Sequence, residues 1–338
     1  MTRNEGNIAI RLNASPTMGM GHLYRQLYLG RLLRERGATI SYFVPEYSPA
    51  TALLEDSGFR PHCVAPEAGL PETVRERFDV VIVDLLDTSR DFIETLRSRA
   101  NTLVDFEDLG EGRHFADVLI DCNLDPERAR DLPRAVTPLF GHTYSLLHPD
   151  FPEYHLKTKI FSGKPTKVLL TFGGTDPNRL TVRLAEGILE MDETVELTVV
   201  IGPGFSDREA LDRFQTNHPG VDVRSNITDM AETLWSHQAI LCSGGVTLHE
   251  ALSVGTPPFL INQALHQEIK ARRIEQLGAA INLGMANDFD QGKLKRALSS
   301  SKGELAALSE AGKKLIDGRG IFRIANEIMQ RMRRPETP

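Results

Sequence analysis

Residues 7–37, NIAIRLNASPTMGMGHLYRQLYLGRLLRERG, decide how the rest of the chain is read. A short apolar run, NIAIRL, enters a loop holding Gly19 and Gly21, and from His22 to Arg36 leucines recur at helical spacing. Strand, glycine-rich loop and helix in that order open a βαβ unit. Such a junction lets the backbone take positive φ and turns the unpaired N–H groups of a helix start toward a ligand. A histidine there is set against the helix dipole, which disfavours its charged form, so a neutral His22 can act as a general base. Gly19 and Gly21 open space beside it, Arg25 follows one turn on, and all three are expected to line the substrate site.

Outward from this stretch the same plan repeats. TISYFV (39–44) precedes the helical SPATALLEDSG (48–58), and DVVIVDLL (79–86) precedes TSRDFIETLRSRA (88–100). NTLVDF (101–106) and ADVLID (116–121) read as further strands. Apolar runs such as VVIV, without alternation, suit strands covered on both faces, as in parallel sheets. Residues 150–166, DFPEYHLKTKIFSGKPT, break the periodicity and read as a connection. A second series follows: KVLLTF (167–172), VELTVVIG (195–202), VDVRS (221–225), AILC (239–242) and PPFLIN (257–262), separated by helical stretches. The reading is α/β, with Rossmann-like domains at 1–155 and 166–315 and a cleft between them at the C-terminal ends of both sheets. A last helix, 318–335, carries Ile321, Ile324, Ile328 and Met332 at helical spacing and is expected to pack back on the first domain. The basic tail RMRRPE (331–336) reads as a solvated helix end.

Bulk composition narrows the function classes. At 338 residues with 41% hydrophobic and 25% charged residues, the chain is in the globular range and long enough for two cores. No apolar run reaches the length of a membrane span, and the N-terminus lacks a signal-peptide pattern, so a cytoplasmic location is expected. A formal charge of −7 argues against a general nucleic-acid surface. Cys63, Cys122 and Cys242 are too few and scattered for a disulfide framework or zinc site and read as buried thiols. No GxxxxGK[ST] run or full GxGxxG fingerprint is present, so no cofactor is expected.

Two further junctions are glycine-rich: TFGGTDPNRLT (171–181) and CSGGVTLHE (242–250). In the second, Gly244, Gly245 and Thr247 open a helix suited to a phosphate. Glu250, one turn inside, would repel a diphosphate but suits two ribose hydroxyls. Carboxylates at strand ends, Asp84, Asp105, Asp108 and Asp121, can either face the site or cap helices. No fixed spacing among them marks a metal site.

Taken in order, GHLYR (21–25), FGGTDP (172–177), SGGVTLHEALSVGTPPFLI (243–261) and DGRGIFRIANEIM (317–329) resemble the UDP-2,4-diacetamido-2,4,6-trideoxy-β-L-altropyranose hydrolases of pseudaminic acid synthesis and their spore-coat polysaccharide relatives. That family is similar in turn to the peptidoglycan N-acetylglucosaminyltransferase, with its GT-B pair of Rossmann-like domains. The resemblance implies metal-independent, inverting hydrolysis of a UDP-sugar at C1–O, with water activated by His22 of the GHxxR motif. It matches Gly173, Gly174 and Asp176 to FGGxDP, which implies substrate contact, and Gly244, Gly245, Thr247 and Glu250 to GGxTxxE, where the nucleotide binds. Asn13, Leu86 and the pair His266–Gln267 depart from the family's Asp, Tyr and Asn-Gln and are expected on the sugar side. An alcohol in place of water would make the same machinery a glycosyltransferase, and a chain without turnover would be a nucleotide-sugar binding protein.

Overall fold

Two sheets with the same winding organise the chain. The computed structural model describes residues 6–123, 126–225 and 227–332, with backbone only for 126–128; the basic tail from residue 333 onward lies outside them. By internal packing, the chain divides into unit 1, Met1–Pro149 with Arg319–Pro338, and unit 2, Asp150–Gly318.

Unit 1 contains strands β1 (Asn7–Leu12), β2 (Thr39–Val44), β3 (Pro61–Cys63), β4 (Phe78–Asp84), β5 (Ala100–Phe106), β6 (Val118–Asp121) and β7 (Thr137–Phe140). Their order is β3-β2-β1-β4-β5-β6-β7, and the pairings are parallel. Helices α1 (Gly21–Glu35), α2 (Ser48–Asp56) and α3 (Arg90–Arg97) flank the sheet. Ile10, with Tyr42 on one side and Ile82 on the other, is fully buried, which explains the unalternated apolar runs. The C-terminal helix, Gly320–Met332, buries Ile321, Ile324, Ala325 and Ile328 in this unit's core together with Leu23 and Leu27 of α1. Each isoleucine removed from water contributes about 1.5–3 kcal/mol, which fixes the helix here despite its distance in sequence.

Unit 2 runs α4 (Phe151–Leu156), β8 (Lys167–Leu170), α5 (Leu180–Met191), β9 (Glu196–Ile201), α6 (Arg208–Asn217), β10 (Asp222–Ser225), α7 (Met230–Ser236), β11 (Ala239–Cys242), α8 (Val246–Val254), β12 (Pro258–Asn262), α9 (Leu265–Gln276), β13 (Ile281–Met285), α10 (Gln291–Leu298) and α11 (Lys302–Leu315). Its sheet order, β10-β9-β8-β11-β12-β13, is also parallel throughout. In each unit the winding reverses beside its first strand, between β1 and β4 and between β8 and β11. Open α/β sheets bind ligands at the strand ends beside such a reversal.

Three differences from the sequence reading have local causes. The stretch beginning at Asp150 belongs to unit 2, where Pro152 at the helix start and buried Phe151 support α4. Strands β3 and β7 go unread because one spans only three residues, two of them exposed, and the other holds Pro138, both at sheet edges. Cys122 and Cys242 are buried as expected, but Cys63, on the edge strand β3, is exposed.

Candidate functional site

In unit 1 the polar chemistry gathers at the C-terminal ends of β1, β4 and β5. Gly19 takes φ +83° and its N–H donates to the Ser15 carbonyl at 2.8 Å, closing the loop before α1. The helix starts at Gly21, so His22 is in its first turn, and no side chain caps the helix. His22 Nδ1 lies 2.9 Å from Asp84 Oδ1 and 3.2 Å from the Asp84 carbonyl. Both oxygens only accept, so Nδ1 carries a hydrogen, and in the neutral ring Nε2 is then the free acceptor. Nε2 has no hydrogen-bond partner among the described residues, and the side chain is 22% exposed. This is the base-plus-orienter arrangement of a catalytic dyad.

Asp84, fully buried, ends the apolar strand β4 and caps no helix. It takes Arg25 in a two-pronged contact, Nε to Oδ2 at 2.7 Å and Nη2 to Oδ1 at 2.5 Å, and Gln26 Nε2 at 2.8 Å. Arg25 reaches on to Glu107 Oε2 at 2.5 Å. Burial alone would push the Asp84 carboxyl up, but Arg25 and His22 outweigh it and hold it well below the usual carboxylate range. Against the same burial, Asp84 and Glu107 hold Arg25 charged. At 6% exposure the Arg25 guanidinium is committed to these carboxylates. It secures the aspartate that orients His22. Glu107 has φ +50° and also accepts from Cys122 Sγ at 2.7 Å.

The other acids at strand ends divide. Asp108 holds the β4–α3 loop through Thr88 and Gly110, Asp121 accepts from the Asn123 amide, and α3 is capped by Ser89. Asp105 is fully buried, and burial with the nearby Asp108 charge raises its pKa well above the ordinary aspartate value. Asn13 accepts from buried Arg11 at 2.7 Å and donates to the Pro66 carbonyl at 3.2 Å. Leu86 reads out only through its carbonyl, which accepts from Leu109.

In unit 2 three loops meet at the ends of β8, β11 and β12. Gly173 takes φ +80°, and the Gly174 carbonyl accepts from Gly204 at 2.9 Å. Asp176 is 4% exposed and accepts from the Leu180 and Thr181 amides at 2.9 and 2.8 Å, capping α5. Gly244 donates to Asn262 Oδ1 at 3.1 Å and Gly245 to the Ser243 carbonyl at 2.8 Å. A Cβ on Gly244 would meet the Gln267 carbonyl at 2.8 Å, so only glycine fits. Their amides thus shape the loop, and the first turn of α8 has no side-chain cap. Thr247 hydrogen-bonds Glu250, which is 7% exposed and which burial pushes up to about 7.

Two residues outside the sequence reading hold these loops together. Asn262, fully buried, also donates to Glu268 at 2.8 Å and Asn282 at 3.0 Å. Gln263 donates to the Phe172 carbonyl and to Ser243 Oγ, both at 3.2 Å, and accepts from Asn178 at 3.3 Å. Gln267 accepts from the Gln263 amide at 2.9 Å, while His266 is exposed at the start of α9. The visible signal was polar residues ending the buried strand PFLIN and following it.

No family model matches the chain. Over 270 residues it is 29% identical to an uncharacterized protein of Methanocaldococcus jannaschii, covering 76% of this chain and 55% of that one, so the chain spans about half of that relative's length. It is 25% identical over 323 residues to the spore coat polysaccharide biosynthesis protein SpsG of Bacillus subtilis, covering 90% of this chain and 93% of the other. In structure it is similar to MurG of Acinetobacter baumannii, with TM-score 0.65, 14% identity and 96% and 99% of the two chains covered. Arabidopsis thaliana UGT89C1 complexed with UDP-L-rhamnose gives TM-score 0.63 at 15% identity, over 96% and 99%. The fold is of the GT-B kind. Within it, each Rossmann-like unit sets its loops at a topological switch point. Among the described residues, no helix is long and apolar enough to cross a membrane, and no group of three or more His, Cys, Asp or Glu is arranged to hold a metal ion.

Proposed function

We propose that the chain is a glycosyltransferase that moves a sugar from a UDP-sugar to an acceptor hydroxyl in synthesis of a surface polysaccharide. The observation that carries this reading is the His22–Asp84 contact of 2.9 Å with Nε2 left unpartnered. The acceptor O–H gives its proton to Nε2 as its oxygen bonds to C1, and the C1–O bond to the diphosphate breaks with its electron pair leaving on UDP. Asp84 offsets the charge that develops on the ring, as the orienting carboxylate of a dyad does. In unit 2 the uncapped N-terminus of α8 suits the diphosphate, whose charge the helix dipole stabilises, and Glu250 accepts from the ribose hydroxyls. His266 and Gln267 at the start of α9 are assigned to the sugar side.

A second reading, hydrolysis in which water takes the acceptor's place, is favoured by the set of motifs shared with the pseudaminic acid hydrolases. Incubation with a panel of UDP-sugars, followed by phosphorus NMR, separates the two. Release of UDP only with an acceptor hydroxyl supports transfer. Equal release in buffer alone would replace transfer with hydrolysis, and no release with any donor and acceptor would remove both.

A further inference from the structure

Glu268 of unit 2 is a buried carboxylate outside the proposed ligand set. It stands in the first turn of α9 and is 5% exposed. Its Oε2 accepts from Asn262 Nδ2 at 2.8 Å, both its oxygens lie 3.2 Å from Asn282 Nδ2, and Oε1 accepts from Arg272 Nε at 2.6 Å. The ion pair with Arg272, whose side chain is 70% exposed, does not account for the burial: pairs of this spacing on a helix surface form in water and contribute little. Burial alone would raise the Glu268 carboxyl, but hydrogen bonds from Arg272, Asn282 and Asn262 outweigh it and hold it below the ordinary glutamate value. At neutral pH the group is therefore a carboxylate, able only to accept.

That restriction decides which way round two carboxamides lie. A carboxamide offers an NH2 on one side and an oxygen on the other, and its neighbours select the sense. Because Glu268 takes both Nδ2 groups, Asn282 Oδ1 is left to accept from Asn262 Nδ2 at 3.0 Å and from the Gly284 amide at 3.2 Å. Asn262 Oδ1 is turned the other way and accepts from the Gly244 amide at 3.1 Å. A bulge lies at the same place, with Leu260 opposite Asn282, Ile261 opposite Gly284, and Gly284 at φ +107°. With the Asn262 amide reversed, its NH2 would face the Gly244 N–H, two donors with no acceptor between them. We infer that Glu268 is a positioning residue for nucleotide binding: its carboxylate sets the Asn262 oxygen toward Gly244 and so fixes the loop that opens α8. This role rests on the proposed seat of UDP at the start of α8, where a loop already held in one position spares the nucleotide the cost of ordering it.

Glu268→Gln removes the fixed sense, because the new amide can donate as well as accept. It should weaken UDP binding about tenfold in calorimetry and raise KM for the sugar donor similarly, with kcat within about twofold, since His22 is in unit 1. Exchange of the Gly244 amide with solvent, followed by NMR without ligand, should quicken about tenfold. Adding Asn262→Asp to that variant should restore UDP affinity to within about threefold of wild type: a carboxylate at position 262 accepts from Gly244 either way round, and the amide at position 268 donates to it. Arg272→Gln, which breaks only the exposed ion pair, should leave affinity within about twofold of wild type. Unchanged affinity and exchange in Glu268→Gln, a double variant no better than the single, or an equal loss in Arg272→Gln would each overturn the role. Should Glu268→Gln fail to fold, a folded double variant with near wild-type affinity supports the role and an unfolded one contradicts it. A wild-type chain that binds no UDP would remove the nucleotide reading instead, and the Gly244 exchange rates would then decide the orienting role by themselves.

Discussion

The two units wind their sheets in the same order yet fill the ligand end differently. At the end of β4 and β5, unit 1 concentrates charge: Asp84, Arg25 and Glu107 form one continuous buried ion network, with His22 as its outlet. At the end of β8, β11 and β12, unit 2 uses carboxamides: Asn262 and Gln263 tie three loops together, and Glu250 is a buried acid one turn inside α8. The difference teaches that one topology supplies the place while side chains supply the chemistry. A charge network holds a proton acceptor in one tautomer and orientation. An amide network, anchored here on buried Glu268, places backbone groups of several loops through neutral side chains.

The comparison breaks most severely at Asp84. Asp84→Asn should lower transfer kcat by about two to four powers of ten through loss of ring orientation. The same change strands part of a buried guanidinium, so urea denaturation should show a loss of about 3–5 kcal/mol. Next comes Glu250→Gln, which should weaken UDP binding by about 1–3 kcal/mol at pH 8 in calorimetry. Ribose hydroxyls favour the carboxylate, so the Glu250 pKa falls from about 7 when UDP binds, and binding releases a proton. Wild-type affinity should therefore rise with pH and level off above 7. The Gln variant should lack that component once the diphosphate's own titration, common to both, is subtracted.

Smaller effects sharpen the contrast without touching the ligand. Asp176→Ala should cost about 0.5–2 kcal/mol of stability as a lost helix cap, with little change in UDP affinity. Equal stability with weakened UDP binding would place Asp176 in the ligand set. Smallest, Asn13→Asp puts a carboxylate beside Arg11, whose other hydrogen bonds go to the carbonyls of Leu12, Ala65, Pro66 and Ala68. Burial pushes Arg11 down to about 10, so a partner charge should raise the melting temperature slightly, by about 1 kcal/mol of stability.

How much of this could be read from residues alone follows from what each feature depends on. The strands and helices around His22 and Gly244 were legible because buried parallel strands leave unalternated apolar runs and helices leave a 3.6-residue period. The glycine junctions were legible for the same local reason. Partners distant in sequence were not: Asp84 stands 62 residues from His22, and only the parallel register of β1 with β4 brings them together. That Arg25 pairs with Asp84 and Glu107, and that Asp176 accepts from the first amides of α5, had no signal in their motifs, which record which residues recur and not where a side chain points. Gln263 had no signal beyond its position after a buried strand.

The central claim is that unit 1 performs the chemistry and unit 2 holds the nucleotide. It is tested most directly by measuring kcat and UDP affinity together for His22→Ala. The account predicts kcat lower by about two to four powers of ten with UDP affinity within about twofold of wild type. Unchanged turnover, or turnover lost only in proportion to weakened UDP binding, would contradict it.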